Sequence, residues 1–207
     1  MKTVPERPTA DLVQTYLNRW QTLTKYVQQE QALNLLFQTL CPKNNDPVSV
    51  LLKVSALNDF YSTNIYDTHT VAAHILQLDC DDRIQAGDVS LVNEMARVTI
   101  GGKPRTLVSF ASKYCNHHLQ EPFPIFDSYV QKMLWHFRRV DRFARFQKPE
   151  LRDYPRFVEL IRCFQTHYSL GQFSLREIDI YLWLAGKGAF GTVQQSKGKS
   201  KRDKHSL

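Results

Sequence analysis

Residues 107–130, LVSFASKYCNHHLQEPFPIFDSYV, decide how the rest of the chain is read. The stretch scans as the second half of a helix, a short connection bounded by Pro122 and Pro124, and a fresh helix start. On a helical wheel Leu107, Phe110, Ala111, Tyr114 and Cys115 form an apolar stripe, with Lys113 just off its edge and one turn before His117. Its other neighbours, Ser109, Ser112 and Asn116, are small or polar. An amine in such a place is partly desolvated and flanked by space, the conditions that lower a lysine pKa and make it a nucleophile. A lysine on a helix rim also commonly snorkels to solvent. Asp127 follows Pro124-Ile125-Phe126 and precedes an amphipathic run, which makes it an N-cap whose carboxylate stays ionised.

Outward from this stretch the pattern is helical throughout. Expected helices begin near Thr9 or Asp11 and cover about 24–40, 47–60, 67–78, 88–98, 104–117, 128–139, 156–168 and 175–185. Asp46-Pro47 is a cap followed by a proline at the first helical position, and Ser174 with Glu177 is a capping box. Gly101-Gly102-Lys103-Pro104 forces a turn. No strand or internal repeat stands out, so the expected fold is all-α with about nine helices. The expected organisation is one domain over residues 1–188 and a disordered basic tail over 189–207.

The 207 residues carry a net charge of +7, and the excess is concentrated. Residues 132–162 hold nine Lys/Arg against four acids, residues 186–207 hold six against one, and the remainder is about −3. Phe137, Phe143 and Phe146 interleave the first run. A charge run is ordinarily a solvated face; its functional reading is contact with nucleic-acid phosphates, and Arg138, Arg139, Arg142 and Arg145 are the candidate DNA-binding cations. Four scattered cysteines fit small buried hydrophobes in a reducing compartment rather than a disulfide framework. Cys115, His117 and His118 with Cys163 and His167 could be read as a metal site, but no C-x2-C knuckle is present, and neither metal nor cofactor is expected. With no signal peptide and no membrane-length apolar run, the expectation is a cytoplasmic, nucleoid-associated monomer that does not engage membranes.

A lysine on a helix, then a short connection with a Pro-x-x-Asp element opening the next helix, resembles the helix-hairpin-helix DNA glycosylases, the 8-oxoguanine DNA glycosylase group most of all. In KYCNHHLQEPFPIFD the family's catalytic lysine maps to Lys113 and its aspartate to Asp127. The glycine-rich hairpin that precedes the lysine in that family is represented only by Gly101-Gly102, and no four-cysteine iron–sulfur motif follows. The resemblance implies a two-lobed helical body with DNA in its cleft, and base-excision repair of a flipped-out damaged base, with strand cleavage as a possible second step. It also makes His117, His118, Tyr129 and Trp135 candidates for pocket walls or base stacking. The alternative that the residues leave open is a non-catalytic helical nucleic-acid-binding module, of mobile-element or defence type.

Overall fold

The computed structural model describes residues 4–191. Its first half runs α1 (Ala10–Thr22), α2 (Thr24–Leu35, continued by a π-helical turn over Leu36–Leu40), α3 (Pro47–Tyr61), α4 (Thr68–Gln77), α5 (Asp81–Gln85) and α6 (Leu91–Ala96). A hairpin of β1 (Arg97–Ile100) and β2 (Lys103–Thr106) follows. The second half holds α7 (Val108–His118), α8 (Ser128–Val140), a 3-10 turn over Lys148–Arg152, α9 (Tyr154–His167) and α10 (Leu175–Phe190). The fold is all-α apart from that one hairpin, with ten α-helices among the described residues.

The caps read from sequence at Thr9, Asp46, Asp127 and Ser174 are in place. Thr9, Asp46 and Asp127 accept from the first turns of α1, α3 and α8. Asp67 does the same for α4, and Ser174 with Glu177 forms the capping box of α10. Each satisfies an N–H that a helix start otherwise leaves without a partner.

The hairpin corrects the sequence reading. A helix was expected through Val98 and another from Pro104, but α6 ends at Ala96 and α7 begins only at Val108. Val98, Thr99 and Ile100 prefer the extended state, and Gly101 and Gly102 take φ of 55° and 74°, the left-handed pair of a two-residue hairpin turn. The register pairs Arg97 with Thr106 and Ile100 with Lys103. Pro104 is tolerated because β2 is an edge strand. A second correction lies at the other end: α10 continues past Ala185 through Gly186 and Gly188 to Phe190, so residues 189 and 190, assigned to the tail, are helical. Residues 192–207 of that tail lie outside the described residues.

One continuous buried core joins residues of α1 through α10, and α7 lies inside it. α8 packs on α10, α10 on α1, and α3 on α4. The α8–α10 crossing depends on Gly186: a Cβ there would sit 2.9 Å from the Tyr129 carbonyl oxygen and 3.0 Å from Met133 Cγ. Gly186→Ala is expected to destabilise the fold by roughly 1–3 kcal/mol through overpacking, despite the better helix propensity of alanine. Gly188→Ala, where a Cβ meets nothing within 4 Å, is expected to be neutral or mildly stabilising. Thermal melts of the two variants check the contrast.

Candidate active site in the cleft beside helix α7

α7 carries no exposed face. Val108 and every residue from Phe110 to His117 are buried, so the helix is central and Lys113 does not sit on a rim. The lysine is only 5% exposed. Its Nζ donates to the carbonyl oxygen of Ser109 at 3.1 Å and to Ser109 Oγ at 2.5 Å, and it stands 5.0 Å from the centre of the Tyr61 ring. Burial pushes its pKa down to about 8; Asp127 and Asp179 oppose that shift, and Arg176 adds to it. At neutral pH a fraction of Lys113 is therefore the free amine.

The small polar residues beside Lys113 grip the connection to α8. Ser112 Oγ accepts the Phe126 N–H at 3.0 Å, and Asn116 Nδ2 donates to the Phe123 carbonyl at 2.7 Å. From the other side, Tyr154 donates its hydroxyl to the Pro124 carbonyl at 2.7 Å and Asp179 Oδ2 accepts the Ile125 N–H at 3.1 Å. The connection ends at Asp127, whose Oδ1 accepts the Tyr129 N–H at 2.7 Å, leaving the other carboxylate oxygen outside the cap.

Lys113 and Asp127 line the same cleft, of about 780 Å³, together with Tyr61, Glu30, Arg176 and Asp179. One stretch of its wall is aromatic: Trp20 stacks on Tyr26 at 6.0 Å, and Trp183 meets Tyr26 edge-on at 5.3 Å. Lys25 and Arg152 bring further positive charge to it.

The four side chains expected to wall the pocket lie elsewhere. His117, fully buried, is held between Asn34 Oδ1 (2.8 Å) and the Tyr61 hydroxyl (3.0 Å). Burial pushes its pKa down to about 3, so it is neutral. Its bearing on the cleft is indirect, through Tyr61. His118 faces Lys53 and Asn44, and burial likewise pushes its pKa down to about 3. Both corrections have one cause: a helix enclosed on every side turns its i+4 and i+5 positions toward other helices. Tyr129 lies beneath the Lys132 ammonium at 5.0 Å, and Trp135 packs against Phe146. None of the four lines the cleft.

The expected DNA-binding arginines are outside it as well. Arg138 is half-buried over the Trp135 ring at 4.7 Å, with its Nε buried and lacking a partner among the described residues. Arg139, Arg142 and Arg145 are exposed. Among the described residues no group of three or more histidine, cysteine or acidic side chains converges on a possible metal position. Likewise no described helix is long and apolar enough to cross a membrane.

Sequence reasoning missed three parts of the site. Tyr61 ended a helix with no visible task, and the aromatic wall draws on α1, α2 and α10. The third is a buried ion triad. Arg176 Nε and Nη2 donate to Glu30 Oε1 at 2.8 and 2.6 Å, and Nη1 donates to Asp179 Oδ1 at 2.6 Å. Arg176 and Asp179, three apart in the first turns of α10, were a legible pair; Glu30 lies 146 residues from Arg176 and gave no signal.

Fold and cleft together define an all-α protein built around a buried lysine that opens on a cavity. Residues 12–122 match the HI_0787_N family, described as an N-terminal domain, and the chain belongs to that family. The matched span takes in Lys113 and stops short of Asp127. An uncharacterized protein of Haemophilus influenzae (strain Rd) is 46% identical over 142 residues, 68% of each of the two chains. No solved structure matches the chain.

Proposed function

We propose that the chain is a DNA base-excision glycosylase of the cytoplasmic, nucleoid-associated kind, with Lys113 as nucleophile and Asp127 as its assisting carboxylate. The observation that carries this reading is a nearly buried lysine, its pKa lowered to about 8, opening on a cleft that Asp127 also lines. A structural lysine has no use for such a cleft, whereas a nucleophilic amine needs both the depressed pKa and access to substrate. The aromatic wall offers planar apolar surface of the kind a flipped base requires, and Lys25 and Arg152 favour a polyanion.

In the reaction the Lys113 amine forms a bond to C1′ of the extruded nucleotide. The N-glycosidic bond breaks, and the base leaves with the electron pair and takes up a proton. Opening of the sugar ring and loss of the amine's protons give a Schiff base, from which β-elimination of the 3′ phosphate follows. The Asp127 carboxylate stabilises positive charge developing on the sugar and accepts a proton from the Lys113 nitrogen once its bond to C1′ has formed.

Borohydride trapping on duplexes carrying oxidised, alkylated, deaminated or abasic sites tests the reading. A crosslink to at least one lesion supports it. No crosslink on any of them, alongside retained DNA binding, points to the non-catalytic binding module instead. Because only the free amine attacks, the single-turnover rate is expected to rise about tenfold per pH unit below pH 8 and level off above it. A rate independent of pH from 6 to 9 contradicts the assignment.

A further inference from the structure

Glu30, Arg176 and Asp179 place two carboxylates on one guanidinium at the cleft wall, a net charge of −1 where burial makes any charge costly. Arg176 and Asp179 are 8% and 2% exposed, and the guanidinium also lies 5.5 Å over the Trp20 ring. Well-packed apolar groups stabilise such a location as well as a triad does, so stability alone does not account for it. Its contacts suggest two tasks. Asp179 spends one oxygen on Arg176 and the other on the Ile125 N–H, two residues ahead of Asp127. Asp179 and Arg176 of α10 are also, with Asp127 of the connection, the charges that act on Lys113, in a cleft that Glu30 and Lys25 of α2, Tyr61 of α3 and Arg152 line as well, with neutral His117 of α7 behind Tyr61.

We propose that the Glu30–Arg176–Asp179 triad is the positioning device of this cleft, holding through Asp179 the connection that ends in Asp127. The proposal rests on the reading of Lys113 as the nucleophile, but its test needs no substrate. Asp179 is the pivotal member, since it alone serves both tasks and its field reaches Lys113 directly.

The test is an NMR titration of Lys113 in the full chain, labelled at lysine Cε and assigned with Lys113→Gln, with amide exchange at Ile125 measured on the same samples. In Asp179→Asn the loss of one negative charge is expected to move the Lys113 midpoint down by about 0.5–1 pH unit. Ile125 exchange should quicken by about tenfold or more, because one amide oxygen cannot serve both Arg176 and Ile125. Glu30→Gln keeps the hydrogen bonds of Arg176 and the Ile125 contact, so it is expected to leave Ile125 exchange unchanged. An unmoved midpoint in Asp179→Asn overturns any electrostatic part for Asp179, and unchanged Ile125 exchange in Asp179→Asn overturns the positioning role. If Asp179→Asn does not fold, Arg176→Lys decides: loss of the guanidinium that fixes the Asp179 carboxylate should quicken Ile125 exchange, and unchanged exchange overturns the positioning role. Failure of borohydride trapping with these effects present would remove the glycosylase reading and leave the triad's hold on the connection standing.

Discussion

Lys113→Gln is expected to abolish the borohydride-trapped crosslink and to lower single-turnover base excision by on the order of 10³-fold or more, with the protein still folded. Glutamine fills most of the lysine's volume and can still bond Ser109, so the packing of α7 survives while the amine is gone. Asp127 allows a cleaner separation, because asparagine is as good an N-cap as aspartate. Asp127→Asn should therefore leave the thermal melt of the protein within a degree or two of wild type while lowering the rate about 10²-fold, through loss of the carboxylate charge. Asp127→Ala should lose the cap as well, at about 1 kcal/mol of stability. Circular dichroism melts beside single-turnover assays read both axes. A wild-type rate in Asp127→Asn would make that residue a cap and nothing more, and a surviving crosslink in Lys113→Gln would move the chemistry to another amine.

The same stretch shows what a sequence conveys and what it does not. Asp127 was legible because an N-cap is a local device, decided within four residues. Lys113 was legible as an oddity on its wheel, but its burial was not, because α7 lies inside the core and every face of it is covered by something distant in sequence. His117 illustrates the cost of that blindness: one turn from Lys113, it reads as a pocket wall, yet Asn34 and Tyr61 take both its ring nitrogens. The hairpin was missed for another reason. Gly101-Gly102 was read as a turn, and the β-branched run before it, the stronger strand signal, was assigned to a helix end. Of the basic run 132–162, Arg138, Arg139, Arg142 and Arg145 do not line the cleft, whereas Arg152 of the same run and Lys25, isolated in sequence, do.

Two buried lysines give the sharpest test of whether Lys113 is there for chemistry. Lys53 is fully buried, and burial pushes its pKa down to about 8, as at Lys113. Their surroundings differ. Lys53 Nζ donates to the carbonyls of Cys41 and Lys43 at 3.1 and 2.8 Å and to Asn44 Oδ1 at 2.6 Å, closing the end of the π-helical turn. Removing it takes the shared donor from three acceptors at a fully buried position, so Lys53→Met is expected to destabilise the protein by about 2–4 kcal/mol. Lys113 bonds only Ser109, on its own helix, and its ammonium is penalised by burial without such compensation. A drop from 10.5 to about 8 corresponds to roughly 3 kcal/mol at most, with about 1 kcal/mol of hydrogen bonding to set against it. Lys113→Met is therefore expected to stabilise the fold at pH 7 by about 1–2 kcal/mol. The sign follows from linkage: with the folded pKa below the unfolded one, the penalty is complete below pH 8, shrinks as pH rises from about 8 to 10.5, and is gone above. The advantage of Lys113→Met should fade over that same window in urea denaturation at a series of pH values. A lysine that costs stability where it lines a cleft is what the proposed chemistry requires, whereas a Lys113→Met variant weakened as much as Lys53→Met would make Lys113 another structural bolt.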